Sequence, residues 1–154
     1  DLADAGACRA EVLEHRPDAA RLPAKRASYL KRLLCGMAKT PDWMRYQWFT
    51  GMHCHRAGDL ERAERYLREA VDARHPDFPV ETLNAHLLLA EVCAVKGDAE
   101  AAGRVLQGAL ALFDDVRHDF EVRINTRLEP TLRANLDAIA RGDLGAVRAY
   151  RFMS

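Results

Sequence analysis

The chain has 154 residues, 49% of them hydrophobic, and its 23 basic and 23 acidic side chains cancel. This length fits one domain with a substantial core, which argues against disorder, and the balanced charge argues against nucleic acid as a partner of this domain. Apolar runs stay shorter than the roughly 18 residues of a membrane span. We therefore expect a cytoplasmic protein without a membrane anchor and, because the sequence starts at Asp1, part of a longer chain.

Turn-forming residues divide the chain into eight segments with helical periodicity. The predicted helices span 2–15, 23–38, 42–57, 59–74, 80–96, 98–115, 119–141 and 143–152. The seventh is expected to break near Pro130. Sustained alternation of apolar and polar residues is absent, so the predicted fold class is all-α.

Three of the boundaries share the dipeptide Gly-Asp, at Gly58-Asp59, Gly97-Asp98 and Gly142-Asp143. Glycine adopts the left-handed conformation that closes a helix, and aspartate accepts hydrogen bonds from the free amides that open the next one. Because these dipeptides recur 39 and then 45 residues apart, the sequence predicts an imperfect repeat of helical hairpins.

Small and bulky residues recur at fixed offsets from these glycines. In the first unit they are Gly51, Gly58, Ala63, Leu67 and Ala70, and in the second Ala90, Gly97, Ala102, Leu106 and Ala109. This pattern closely resembles the tetratricopeptide repeat, most clearly over residues 43–112. Small residues suit positions where neighbouring helices approach closely.

The resemblance implies antiparallel hairpins stacked as a short right-handed superhelix. Residues 41–154 would form two clear hairpins and a degenerate third, in which Asn135 and Val147 stand at the two small positions. Residues 1–40 would form a helical pair packed on one end. Units of about forty residues also resemble those in the helical sensor domains of large bacterial transcription activators of the LuxR type.

In this family, ligands lie along the concave surface formed by the first helix of each hairpin. The corresponding positions are Arg45, Trp48, Met52 and His55 in the first unit and Asn84, Leu87, Glu91 and Ala94 in the second. The alternative is that Trp48 and Met52 pack against the N-terminal helices. The groove could be open or filled by the chain's own termini, and the sequence does not decide between these arrangements.

The sequence Met52-His53-Cys54-His55 contains good metal ligands. Consecutive helical residues point about 100° apart, so the two histidines diverge and we predict no metal. The scattered cysteines are expected to be reduced, mostly buried thiols.

A basic patch precedes the first hairpin, at Lys25, Arg26, Lys31 and Arg32. It would suit an acidic surface or phosphates, or it is simply a solvated helix face. Motifs of enzymes or cofactor sites are absent, so neither catalysis nor a cofactor is expected.

The leading hypothesis is a module for protein–protein interaction that binds a peptide or helix of a partner in its groove. The alternative is a regulatory sensor domain of a bacterial transcription regulator that binds a small effector there. Self-assembly into a homodimer through exposed hairpin ends is a third hypothesis, and a helical enzyme or metal protein is the weakest.

Overall fold

The structure is a computed structural model that describes residues 28–35, 44–73 and 78–149. These residues form seven α-helices and one 3-10 turn, without a strand. The helices are α1 (28–35), α2 (Met44–Arg56), α3 (Leu60–Ala73), α4 (Pro79–Val95), α5 (Ala99–Val116), α6 (Phe120–Ile124) and α7 (Leu128–Ala140), and the 3-10 turn is Leu144–Ala146. The all-α prediction is confirmed for this part of the chain; the predicted helix at 2–15 lies outside it.

Helices that follow one another along the chain pack as neighbours. α2 packs on α3 and α4 packs on α5, while α3 also contacts α4, and α5 contacts α7. The first helices of the two hairpins, α2 and α4, touch each other, and α4 touches α7. α4 is the central element, because nearly all of its side chains from Pro79 to Ala94 are buried.

The Gly-Asp corners have one shared backbone geometry. Gly58, Gly97 and Gly142 have φ of 81°, 82° and 74°, in the left-handed region that only glycine adopts without strain. At each corner the glycine N–H bonds the carbonyl three residues back, and the following aspartate N–H bonds the carbonyl five back, at 2.9–3.0 Å. This is a Schellman cap, and it confirms the predicted end of each helix.

The aspartates of these corners differ in their role. Asp59 Oδ1 accepts from the amide of Arg62 at 3.2 Å, and Asp98 Oδ1 accepts from the amide of Ala101 at 3.0 Å. Asp143 makes no side-chain cap bond, and the chain continues as a single 3-10 turn. The predicted helix at 143–152 is therefore wrong in the described residues, since residues 147–149, which follow that turn, are not helical.

The predicted helix at 119–141 is also corrected. It is broken at Asn125–Arg127, between α6 and α7, and not at Pro130. Pro130 is the third residue of α7, where the amide has no intrahelical acceptor, so its ring is tolerated there.

The close approach expected at the small positions is clearest at Gly51. A Cβ built on Gly51 would lie 2.7 Å from Cγ of Leu67 and 3.3 Å from the Leu67 backbone nitrogen. Leu67 is itself fully buried in the core. α2 and α3 therefore meet at a distance that leaves no space for a side chain at residue 51.

Candidate functional site

The predicted groove residues are buried. Trp48, Met52, Asn84, Leu87 and Glu91 are between 1% and 6% exposed. Trp48 and Met52 belong to one core cluster with Leu33 of α1. These side chains are therefore shielded from solvent in the structure, and their role in binding a partner stays a prediction.

Two other predicted groove positions, His55 and Arg45, differ from this group. His55 keeps 14% of its side chain exposed and contacts Glu91. Arg45 belongs to α2, but its side chain lies outside the described residues.

The chain's own C-terminal residues lie against two of the helices expected to form that surface. The 3-10 turn contacts both α4 and α7. Residues 147–149, called the C-terminal segment below, then extend away from it, with Val147 at φ −75° and ψ 107°. Val147 is fully buried and is part of the core cluster.

Asn135 of α7 holds the C-terminal segment through its backbone. Its side-chain amide donates to the carbonyl of Arg148 at 2.9 Å, and its carbonyl oxygen accepts from the Arg148 N–H at 3.0 Å. Asn135 is only 2% exposed, so both bonds form away from bulk water. Asn135 makes neither bond to the side chain of Arg148, which is exposed and whose guanidinium donates to the carbonyl of Val147 at 3.4 Å.

Glu91 of α4 provides a second anchor for the C-terminal segment. Its Oε1 accepts from the N–H of Ala149 at 3.3 Å, and its Oε2 lies 2.8 Å from Nε2 of His55 in α2. An ionised Glu91 carboxylate can only accept, so in this pair Nε2 would be the donor. These contacts give the buried carboxylate the polar partners that it needs in place of water. We call Glu91 and Asn135 the segment site.

Asn84 lies two turns before Glu91 on α4, and a spacing of seven residues places both on one helical face. It is 5% exposed, and its Nδ2 has no hydrogen-bond partner. The face of α4 near the segment site thus carries a buried amide donor whose hydrogen-bonding capacity is unused.

The histidines and cysteine of the Met52–His55 run have separate surroundings. The ring of His53 meets the ring of Tyr29 edge-on at 6.2 Å, and His55 pairs with Glu91. Cys54 is buried, and burial raises the pKa of its thiol. Over the described ranges, no group of three or more His, Cys, Asp and Glu side chains is placed to hold a metal ion.

The two other cysteines in the described residues differ in exposure. Cys93 is buried in the same way as Cys54, and burial raises the pKa of its thiol, whereas Cys35 is exposed. The free thiols at all three positions agree with the expectation of reduced cysteines.

Only half of the predicted basic patch can be placed. Lys31 is exposed and Arg32 is partly exposed on α1, while Lys25 and Arg26 lie outside the described residues. Within the part of the chain that is described, no helix is both long and apolar enough to cross a membrane.

Two cavities lined by described residues lie away from the segment site. One of about 360 Å³ lies between α5, α6 and α7 and is lined by Phe113, Arg117, Arg123 and their neighbours. A second of about 200 Å³ lies between α3 and α5 and has His86, Arg68 and Arg104 in its wall.

On α6, Phe120 and Ile124 are 72% and 62% exposed. The largest exposed apolar side chains therefore belong to the shortest helix.

Sequence reasoning missed the two residues that matter most here. In the sequence, Asn135 and Val147 stand out only because they replace the small residues of the repeat pattern in its third unit. The signal was nevertheless present, because a polar side chain at a position that elsewhere faces a neighbouring helix must find a hydrogen-bonding partner. In this chain the partner is the backbone of Arg148.

Comparisons with protein-family models, with curated proteins and with solved structures give no match for this chain. The tetratricopeptide resemblance therefore stays a prediction from the sequence, and the function has to be argued from the geometry of the segment site.

Proposed function

We propose that this domain is a protein–protein interaction module that binds an extended segment of a partner across α4 and α7. The observation that carries the proposal is the pair of hydrogen bonds between the Asn135 side chain and the backbone N–H and C=O of Arg148. Such a pair recognises a peptide backbone whatever the side chain. The same pair of hydrogen bonds would hold the backbone of a partner's segment at the position of residue 148.

The same geometry favours an extended ligand over a helical one. Inside a helix, the N–H and C=O of a residue are already bonded to residues four positions away. An extended segment leaves both groups of one residue available on the same edge, as at Arg148. The Glu91 carboxylate then meets the next N–H along the segment, at Ala149.

The tetratricopeptide resemblance supports the same surface. It implies ligands along the first helix of each hairpin, and in the predicted second and third units these helices would be α4 and α7. A small effector, the alternative raised by the sequence, would have to enter the surface against which Val147 and Ala149 pack. The peptide hypothesis is therefore the better supported of the two.

The test is a selection of random linear peptides on the full chain carrying Val147→Asp. That substitution empties the segment site, because an isolated buried carboxylate is strongly disfavoured. Peptides should be enriched, and adding Asn135→Leu should weaken their binding by about tenfold or more, since two hydrogen bonds of about 0.5–1.5 kcal/mol each are lost.

The matched control is Gln107→Leu, which makes the same kind of change on the exposed face of α5. It should leave peptide binding unaltered. Failure to enrich any peptide on the folded Val147→Asp chain, or enriched peptides whose binding is insensitive to Asn135→Leu, would overturn the proposal. Circular dichroism establishes that each variant is folded.

A further inference from the structure

Burial alternates along the three residues of the C-terminal segment, which begins with the extended residue Val147. Val147 is fully buried, Arg148 is exposed, and Ala149 is half-buried with its N–H directed at Glu91. In extended chain, successive side chains point to opposite sides, so residues 147 and 149 face the protein and residue 148 faces water.

Side-chain recognition is confined to those two inward positions. The hydrogen bonds from Asn135 and Glu91 to the segment go to backbone atoms of residues 148 and 149. The space for Val147 is enclosed by core side chains, which sets a limit on the size and polarity of the residue that fits there. Ala149 lies beside the buried Glu91 carboxylate, where a bulky side chain would compete with that hydrogen bond.

We infer that the segment site selects an extended peptide with a β-branched apolar residue followed two positions later by a small one, and that residues 147–149 are its resident ligand. This inference rests on the proposed function. A partner with this pattern binds by displacing the C-terminal segment, while α4 and α7 stay in place.

The resident ligand is attached by a short connection. Only Arg141 to Ala146 separate the end of α7 from Val147. A short tether holds its ligand at an effective concentration on the order of millimolar, so a partner peptide with the same contacts competes poorly until the segment is weakened. A peptide that resembles the segment only weakly therefore does not displace it.

The probe for the test is a fluorescein-labelled peptide with the sequence of residues 143–151. Binding is followed by fluorescence anisotropy on the full chain as wild type, Val147→Asp and Arg148→Pro. The proline variant removes the N–H that bonds Asn135 while leaving the segment site and the core residue Val147 unchanged. Arg148→Ala is its control, because that variant keeps the backbone N–H.

We expect the labelled peptide to bind Val147→Asp and Arg148→Pro at least about tenfold more tightly than wild type or Arg148→Ala, as release from an intramolecular competitor requires. Peptide variants should follow the alternation. Val147→Asp and Ala149→Trp in the peptide should abolish binding, whereas Arg148→Glu should change it less than about threefold because residue 148 faces water.

Two results would overturn the inference. Equal binding of the peptide to wild type and to both opened variants would show that the segment is a fixed part of the fold. Tight binding of the Val147→Asp peptide would remove the specificity. If selected random peptides still bind the opened chain in either case, the proposed function survives; if they also fail, both proposals fall.

A dimer of the wild-type chain in sedimentation analysis, lost in Arg148→Pro, would also overturn the inference, because the segment would then occupy the site of a second copy. The Arg148→Pro chain keeps the proposal testable if Val147→Asp does not fold.

Discussion

The carboxylate of Glu91 lies 2.8 Å from the imidazole of His55. This contact joins α4 to α2, which α3 separates in the sequence. Only 2% of the Glu91 side chain is exposed. The same carboxylate accepts from the N–H of Ala149, so it connects the first hairpin, the second hairpin and the C-terminal segment. Stability and occupation of the segment site are thereby coupled through one side chain.

Glu91→Ala should be strongly destabilising, because it leaves His55 and the Ala149 amide without their acceptor and opens a cavity. The expected loss in the free energy of unfolding is about 3–5 kcal/mol. Glu91→Gln keeps one oxygen acceptor and should lose only about 1–2 kcal/mol. Urea unfolding followed by circular dichroism measures both.

The control for these variants is Glu100→Gln. Glu100 pairs with Arg104 four residues later on an exposed face of α5, so its loss should be at most about 1 kcal/mol. Equal losses for Glu91→Ala and Glu91→Gln would contradict the bridging role, because only the first removes the acceptor.

Gly51→Ala should destabilise the chain even though alanine is the better helix former. The new methyl would lie 2.7 Å from Leu67 Cγ, and overpacking of this kind costs about 1–3 kcal/mol against a gain in helix propensity of about 0.5–1 kcal/mol. Gly103→Ala is the matched comparison. Its methyl would lie 3.7 Å from Ile139, so we expect stabilisation by up to about 1 kcal/mol. Thermal unfolding of both variants should show shifts of opposite sign.

Asp98→Ala should reduce stability by about 1 kcal/mol, since it removes the side-chain cap on the Ala101 amide at the start of α5. Asp143 occupies the equivalent place at the third corner without such a bond. Asp143→Ala is therefore expected to change stability by less than about 0.5 kcal/mol. A similar loss in both variants would show that the aspartates act through something other than capping.

Glu64 should make the stability depend on pH. Hydrogen bonds from Lys96 and Arg68, at 2.6 and 2.8 Å, hold the pKa of its carboxyl below the usual value. A lowered folded-state pKa gives stability that is fully present above the unfolded pKa and is lost as pH falls through the folded pKa. Glu64→Gln should therefore be less stable than wild type at neutral pH, with the difference shrinking in acid.

Denaturant unfolding of wild type and Glu64→Gln over a pH series measures this difference. Glu69→Gln, an exposed change on the same helix, should stay within about 0.5 kcal/mol of wild type at neutral pH. A difference between wild type and Glu64→Gln that grew toward acid pH would have the wrong sign for this ion-pair network.

Local signals in the sequence predicted most of the described helices. The glycines at 58, 97 and 142 predict the ends of three helices, because a glycine that can adopt the left-handed conformation, followed by aspartate, is typical of a helix end. Gly51 likewise indicated the close contact with α3. These features depend on residues near in sequence, which is why the pattern alone was sufficient.

The candidate site depended on contacts that periodicity does not encode. The periodicity of Trp48 and Met52 fits a ligand groove and a packed core equally well, and in the structure both side chains are buried in the core cluster. The sequence predicts a helix from Asp143 onward, yet residues 147–149 are not helical and Val147 is extended. The tertiary hydrogen bonds from Asn135 and Glu91 stabilise that conformation, and local propensity contains no information about them.

The Ala149–Glu91 hydrogen bond joins residues 58 positions apart, whereas each helical hairpin closes over a turn of a few residues. Contacts between distant residues form late in folding, because the intervening chain must be ordered before they can be made. Hydrogen exchange should consequently release the amides of Arg148 and Ala149 well before those of the central helix α4. The domain would then have two levels of opening, with the hairpins still folded in the first.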